Sequence, residues 1–195
     1  MFALLDELEW LLPSVQISDK IDLSRWTSKE IFMAIEGVEQ AAILEIDNQI
    51  RLRRYDGYHD FALIWHQDLE LVWLVDGDEE VYSVDLLNRM YEYLSTNGEC
   101  YFIEIVENGQ FLPIGDVTLF RDDFAIAIGD KRYWKKGIGT KVLHRMIERA
   151  REVGLEEILV EEIYDWNLGS RKLFEKCGFE VVEKTQKGWS YKKNL

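Results

Sequence analysis

A glycine-containing turn between a strand pattern and a helix pattern constrains this chain more than any other feature. The turn reads Lys135-Lys136-Gly137-Ile138-Gly139-Thr140, and an amphipathic helix pattern begins within it. Residues 124–128 upstream have the pattern of a strand. Two glycines allow close approach of a bulky anion, and the N–H groups and dipole of the helix start face the same point. The segment predicts a phosphate cradle, although a Gly-x-Gly pair alone is equally typical of a plain tight turn.

The charge distribution supports the cradle. The 195-residue chain has a formal net charge of −14, yet residues 130–151 hold eight basic residues and two acidic ones. A solvated helix face would explain most of this basic segment, but not the lysines that precede the helix. The overall negative charge argues against nucleic acid as the main partner and suits a cationic one. Acidity of this size is also common among soluble proteins without any such meaning.

A second motif follows about thirty residues later. Residues 167–179 predict a short helix, with Asn167 as its N-cap and Gly178 just after its end. The glycine turn and helix, an intervening strand, and this Asn-x-x-Ser-x-x-Leu-aromatic pattern resemble the GNAT superfamily of acetyl-CoA-dependent N-acetyltransferases. The resemblance covers residues 114–182, and extends more loosely from about residue 50. The ribosomal-protein-alanine and aminoglycoside acetyltransferase branches share this arrangement, and the former also share Tyr133-Trp134.

The resemblance implies an α+β fold, with a mixed, mostly antiparallel central sheet whose middle strands splay apart between flanking helices. The periodicity of the chain predicts the order β-α-α-β-β-β-α-β-α-β-β around one sheet. We expect an acetyltransferase domain at residues 49–195 and a helical extension at residues 1–48. A capping box at Thr27-Ser28-Lys29-Glu30 starts a predicted helix that reaches Ala42. Three roles stay open for the extension: packing on the core, covering the substrate groove, or forming a homodimer contact.

The resemblance also implies where acetyl-CoA would bind. The backbone of Ala127 and Ile128 would pair with the pantetheine arm, next to a strand over residues 158–164 that splays away. The backbone N–H groups of five consecutive residues would hold the pyrophosphate: Lys136, Gly137, Ile138, Gly139 and Thr140. Asn167 would contact the cofactor arm, with Ser170 beside it.

Two positions depart from the family pattern. Trp134 stands where a Gln or Arg is usual, so Lys135 and Lys136 must supply the positive charge. Phe174 stands where many members carry a Tyr thought to protonate the departing thiolate. Phe174 is then an ordinary core residue, and Tyr164, Ser170 or water would supply the proton.

The candidates for the catalytic base are acids near the centre of the sheet. Asp122, Asp123, Glu161 and Glu162 qualify, and strand alternation allows only one of the two glutamates to face the slot. We take Glu161, Asp123 and Tyr164 as the catalytic candidates. A chain of water molecules is an alternative base, and a solvated acid at a strand end is the simpler explanation for each carboxylate.

The remaining composition narrows the class of protein. The histidines and cysteines lack metal-ligand spacing, so no metal is expected. The acidic N-terminus does not resemble a signal peptide, and no apolar run approaches 18 residues, which predicts a cytoplasmic protein without a membrane partner. The leading hypothesis is an N-acetyltransferase that acts on a primary amine of a small molecule or a peptide N-terminus. The alternative is a non-catalytic acyl-CoA-binding regulatory module.

Overall fold

The computed structural model describes residues 34–35 and 37–195. Most of the predicted helical extension, including the capping box at Thr27, lies outside this part of the chain. Residues 37–42 are described and are not helical, so the predicted helix does not reach Ala42. The first strand, β1, instead starts at Ile43 and pairs with β2. The sheet therefore begins upstream of residue 49, the expected start of the domain.

Five antiparallel strands form the larger sheet, in the spatial order β1-β2-β3-β4-β5. Each strand follows its neighbour in sequence, except that three helices lie between β2 and β3. The Asn108-Gly109 turn joins β3 to β4 as the sequence predicts. The strands are β1 (Ile43–Glu45), β2 (Ile50–Arg54), β3 (Glu99–Glu107), β4 (Gln110–Leu119) and β5 (Phe124–Ala127).

Three further strands form a separate antiparallel sheet in the order β6-β8-β7. They are β6 (Glu157–Tyr164), β7 (Glu180–Lys184) and β8 (Gly188–Asn194). Strands β5 and β6 pack side by side but do not share a hydrogen-bonded ladder. The expected single sheet is thus two sheets, and the expected splay of the middle strands is confirmed at the junction between them.

Helices cover both faces of the larger sheet. On one face, α1 (Leu63–His66), α2 (Leu69–Val75) and α3 (Val84–Asn97) pack over Cys100 and Phe102. On the other face, α4 (Ile138–Glu152) and α5 (Leu168–Lys176) pack over Tyr101 and Ile103. The alternation of β3 side chains between the two cores is what a strand buried on both faces requires. Short 3₁₀ turns at Asp60–Ala62 and Lys131–Tyr133 precede α1 and α4.

Candidate active site

The glycine turn has the geometry of an anion cradle. Gly137 is the N-cap of α4 with φ of 80°, and Lys135 also adopts a left-handed conformation with φ of 59°. A Cβ added to Gly137 would meet nothing within 4 Å, so the space in front of the helix start is open. Lys135 and Lys136 are exposed. Free N–H groups at a helix start, open space and two cations fit a pyrophosphate.

Gly139 has a different role from Gly137. A Cβ at this position would lie 3.0 Å from Cδ2 of Leu173 on α5. The absence of a side chain at Gly139 thus allows α4 and α5 to approach each other. Because Ser170 and Phe174 of the same α5 helix line the cleft described below, the cradle and the cleft share one helix.

Trp134 ties the turn to the end of β5. Its indole Nε1 donates a hydrogen bond to the carbonyl of Ile128 at 2.6 Å. The carbonyl of Ile128, which we expected to pair with the pantetheine arm, is therefore already used within the protein. Nearby, the ammonium of Lys136 lies 5.1 Å from the ring centre of Tyr133, which leaves positive charge beside the turn.

A cleft runs between β5 and β6, where the two sheets part. It encloses about 710 Å³ of empty space, including its open mouth. Five predicted site residues line it, together with Phe174: Asp123, Ala127, Tyr164, Asn167 and Ser170. The structure thus brings together residues from β5, β6 and α5 that are up to fifty positions apart in sequence.

Asp123 fixes one end of the cleft. Its Oδ1 accepts a hydrogen bond from the backbone N–H of Glu161 at 3.0 Å. This contact joins the start of β5 to β6, and the strands stay unpaired beyond it. Asp123 therefore holds the two strands at the point from which they separate.

Glu162, not Glu161, lines the cleft. The register between β6 and β8 shifts at Glu161 and Glu162, so that these two residues oppose Ser190 alone. Such a bulge breaks the strict alternation on which the sequence argument depended. Glu161 is exposed, and partial burial raises the pKa of its carboxyl. Glu162 accepts hydrogen bonds from the Thr185 hydroxyl and from the Lys187 N–H at 3.0 Å.

Tyr164 and Asn167 join α2 to the far side of the cleft. The Tyr164 hydroxyl donates to the carbonyl of Asp76 at 2.6 Å, and burial raises the pKa of this hydroxyl. The Asn167 amide donates to the carbonyl of Leu74 at 2.9 Å, and its Oδ1 caps α5 through the N–H of Ser170 at 3.0 Å. Both predicted site residues therefore have structural partners. The Ser170 hydroxyl has none among the described residues.

Phe174 is part of the apolar wall of the cleft. Its side chain is 3% exposed and makes edge contacts with Phe124 and Phe179, at 6.0 and 5.0 Å between ring centres. These contacts agree with the interpretation of Phe174 as a core residue.

The inner end of the cleft is polar, which the sequence analysis missed. His66 and Asp116 line it and are only 2% and 7% exposed. The hydroxyl of Tyr91 donates to Oδ2 of Asp116 at 2.8 Å. Burial raises the pKa of Asp116 to about 6 and lowers the pKa of His66 to about 4. The sequence contains one signal for this group, because Asp116 is the one charged residue in the run of residues 111–120.

No group of three or more His, Cys, Asp or Glu side chains in the described part of the chain is arranged to hold a metal ion. None of its helices has the length and apolar character needed to cross a membrane.

Comparison with solved structures shows that this fold is shared. A domain from Methanocaldococcus jannaschii DSM 2661 has a TM-score of 0.68 at 22% identity, over 76% of this chain and 100% of that one. RimL, a ribosomal L7/L12 α-N-protein acetyltransferase in complex with coenzyme A, has a TM-score of 0.63 at 12% identity, over 78% and 98%. The microcin C7 self-immunity acetyltransferase MccE, in complex with acetyl-CoA and AMP, has a TM-score of 0.59 at 15% identity, over 77% and 94%.

The sequence itself matches a family model. No curated protein matches the chain. Residues 61–179, more than half of the protein, match the model described as the acetyltransferase (GNAT) family. With the splayed strands and the glycine turn in place, the chain belongs to the GNAT family of acetyltransferases.

Proposed function

We propose that this protein transfers the acetyl group of acetyl-CoA to a primary amine of a small molecule or a peptide N-terminus. The amine attacks the thioester directly, in a ternary complex. One observation carries the proposal: the cleft between the unpaired strands β5 and β6 shares helix α5 with an open anion cradle. MccE and RimL, two proteins of similar fold, were solved with acetyl-CoA and coenzyme A.

The geometry supports a division of labour among the predicted residues. The N–H groups of α4 hold the pyrophosphate, and the edge of β5 that pairs with no strand of the described residues is free to bind the pantetheine arm. The departing thiolate needs a proton or a hydrogen bond. Ser170 suits this role better than Tyr164, because the Tyr164 hydroxyl is already bonded to the Asp76 carbonyl. Asp123, placed where the strands part, positions the slot.

The acceptor is proposed only as a class. RimL and MccE act in different settings, since RimL is an acetyltransferase of a ribosomal protein and MccE is one of microcin immunity. The net charge of −14 favours an acceptor that arrives as a cation.

A charge reversal at the cradle tests cofactor binding. In Lys136→Glu, we expect the affinity for acetyl-CoA to fall about tenfold or more, because an anion replaces a cation beside the pyrophosphate. Arg151→Glu is the matched control, since Arg151 is exposed in the last turn of the same helix, about 20 Å away. Isothermal titration calorimetry measures both. Equal affinity in wild type and Lys136→Glu would contradict the cradle assignment.

Turnover tests the transfer itself. Wild-type protein should release free thiol from acetyl-CoA only when a primary amine is present, measured with a thiol reagent over a panel of amines. Tight acetyl-CoA binding with no thiol release on any amine would instead favour the regulatory binding module.

A further inference from the structure

Small side chains on β5 open a path to a buried carboxylate. Asp116 on β4 pairs with Phe102 on β3 and Ala127 on β5, and Thr118 pairs with Ala125. Cross-strand partners share a face, so Ala125 and Ala127 lie on the same face as Asp116, beneath α1–α3. Ala125 and Ala127, the edge-strand residues on this face, both line the cleft. Larger residues at these two positions would fill the space beside Asp116.

The polar groups at this end of the cleft lack partners. Oδ2 of Asp116 accepts a hydrogen bond from the Tyr91 hydroxyl, and this is the one hydrogen bond that the carboxylate makes with the described residues. Both ring nitrogens of His66 are buried and have no partner among these residues. Buried polar groups in proteins are almost always hydrogen-bonded. The unpartnered nitrogens of His66, beside a carboxylate with a single hydrogen bond on the same cleft, therefore point to a polar ligand that enters it.

We propose that the Asp116 carboxylate binds the ammonium group of the acceptor at the inner end of the cleft and takes its proton. The inference rests on the proposed acetyl transfer, and it adds the site and the class of acceptor: a primary ammonium on a slender arm. A buried carboxylate with a free oxygen is a strong site for an ammonium, since charge-assisted hydrogen bonds gain strength away from water.

The proton and electron balance is complete without any further reactant. One proton passes from the ammonium to Asp116, which becomes the neutral acid, and the amine nitrogen regains its lone pair. That pair forms the N–C bond at the thioester carbonyl, and the C–S bond breaks with its electrons on sulfur. The second proton of the amine ends on the thiolate as the amide forms. Asp116 then returns its proton to solvent.

The other carboxylates near the cleft are less suited to this role. Asp123 and Glu162 each have one hydrogen-bonded oxygen, as Asp116 does, but unlike Asp116 they are only partly buried. Glu161 is exposed outside the cleft, and Asp76 does not line it. Asp116 alone among the described acids combines burial, a free oxygen and a place on the cleft wall.

Several titratable groups lie near Asp116 or share the cleft with it. They come from α1, from the segment between α2 and α3, from α3, from β3 and from β6, and comprise His66, Asp76, Tyr82, Tyr91, Cys100 and Glu162. Burial raises the pKa of Asp116, and the bond from Tyr91 opposes that rise. The pH profile of kcat should therefore have an acidic limb near pH 6, where the rate falls as Asp116 becomes protonated.

The first experiment measures binding alone. Protein labelled with ¹³C at aspartate carboxyls is titrated with n-butylammonium chloride at pH 8, and the Asp116 resonance is assigned by its loss in Asp116→Asn. We expect this resonance to shift on titration. We also expect Asp116→Asn to bind the probe about tenfold more weakly or worse, since a bond to a charged group is lost. Asp78→Asn, which removes an exposed carboxylate, should bind as wild type does.

The second experiment measures turnover of n-butylamine with saturating acetyl-CoA. Asp116→Asn should lower kcat by about 100-fold or more, the usual size of general base catalysis, and the limb near pH 6 should vanish. Tyr91→Phe should keep the limb but move it to higher pH, because the bond that favours the carboxylate is gone. A purely structural role for Tyr91 would not move the limb.

The outcomes separate the two proposals. An Asp116 resonance that ignores n-butylammonium, or an Asp116→Asn variant with the wild-type rate and limb, would overturn the role of Asp116. A wild-type protein that shifts the resonance but acetylates no amine would leave the ammonium site in place and contradict acetyl transfer. Circular dichroism of each variant confirms that it is folded, and Tyr91→Phe gives a second reading should Asp116→Asn unfold.

Discussion

The two faces of the larger sheet each bury a carboxylate, and they treat it differently. On the α4 face, the fully buried Glu99 accepts two hydrogen bonds from Arg149, at 2.8 and 2.6 Å, and one from the Tyr101 hydroxyl at 3.1 Å. On the α1–α3 face, Asp116 accepts one bond, from Tyr91. Charge and hydrogen-bonding capacity are balanced at Glu99 and left unbalanced at Asp116.

This difference distinguishes a structural charge, Glu99, from Asp116, the one that we propose to be functional. The buried ion pair of Glu99 and Arg149, with its hydrogen bonds made, fixes α4 to β3 and needs no further ligand. An unpaired buried carboxylate costs free energy, and folding alone gives no reason to keep it. The described atoms that are buried and unbonded belong to His66, Asp76 and Thr118, all of which lie on or beside the α1–α3 face. We infer that this face gives up stability in order to bind an acceptor.

Breaking the balanced pair should have the largest effect on stability. In Glu99→Gln, the guanidinium of Arg149 keeps its charge but loses its buried counter-charge, which typically costs about 3–5 kcal/mol. Urea denaturation should show this loss, while acetyl-CoA affinity of the folded fraction stays unchanged. The control is Glu152→Gln, because Glu152 is a half-exposed partner of the same arginine and its pair is worth about 1 kcal/mol or less. Equal losses in the two variants would contradict the contrast between the faces.

The cradle was predictable because its parts are local. The turn, the N-cap and the first helical turn are consecutive residues, so composition and spacing alone define them. Helix α4 starts at Ile138, within the turn where the sequence pattern placed the beginning of a helix. The order of the strands from β2 onward also followed from alternation and turn residues.

The inner end of the cleft was not predictable in the same way. His66 and Asp116 are separated by β3 and α3, and neither belongs to a local pattern. The bulge at Glu161 and Glu162 comes from pairing with β8, which alternation within β6 does not reveal. Strand β1 has only three residues, too few for a periodic signal. These features depend on tertiary packing, which local sequence patterns predict poorly.

The pH dependence of stability should sharpen the contrast next. Burial raises the pKa of Asp116 from 3.8 to about 6, so the folded state binds this proton more tightly than the unfolded state does. Stability from this group is therefore present at low pH and is lost as pH rises from about 4 to about 6. At about 1.4 kcal/mol per pKa unit, the loss amounts to roughly 3 kcal/mol.

The Asp116→Asn variant isolates that loss. Its stability relative to wild type should improve by roughly 2 kcal/mol between pH 4.5 and pH 8, because asparagine has no charge to bury and the remainder of the loss occurs below pH 4.5. Urea melts at several pH values measure the difference, and Asp122→Asn controls for removal of one exposed carboxylate. His66 contributes with the opposite sign, since its lowered pKa makes acid destabilising, but it is present in both proteins and cancels. A constant difference across this range would show that the Asp116 carboxylate is not held as described.

The smallest expected effect is at the apolar wall of the cleft. Phe174→Tyr places a phenol where many family members carry one, and general acid help is typically worth about 10²–10⁴-fold when the hydroxyl reaches the leaving group. Because Ser170 already presents a hydroxyl without a partner on the same helix, we expect kcat to change less than about tenfold, or roughly 1.4 kcal/mol of barrier.

Phe179→Tyr is the matched control, since Phe179 is equally buried and in edge contact with Phe174, but lies off the cleft. Water in the cleft can hydrate a hydroxyl at position 174, so Phe174→Tyr should be less destabilising than Phe179→Tyr, in which an unsatisfied hydroxyl costs about 1–3 kcal/mol. Thermal melts and thiol release on an active amine measure the two effects. A hundredfold gain in kcat in Phe174→Tyr would show that the cleft lacks any other acid, and would remove Ser170 from its proposed role.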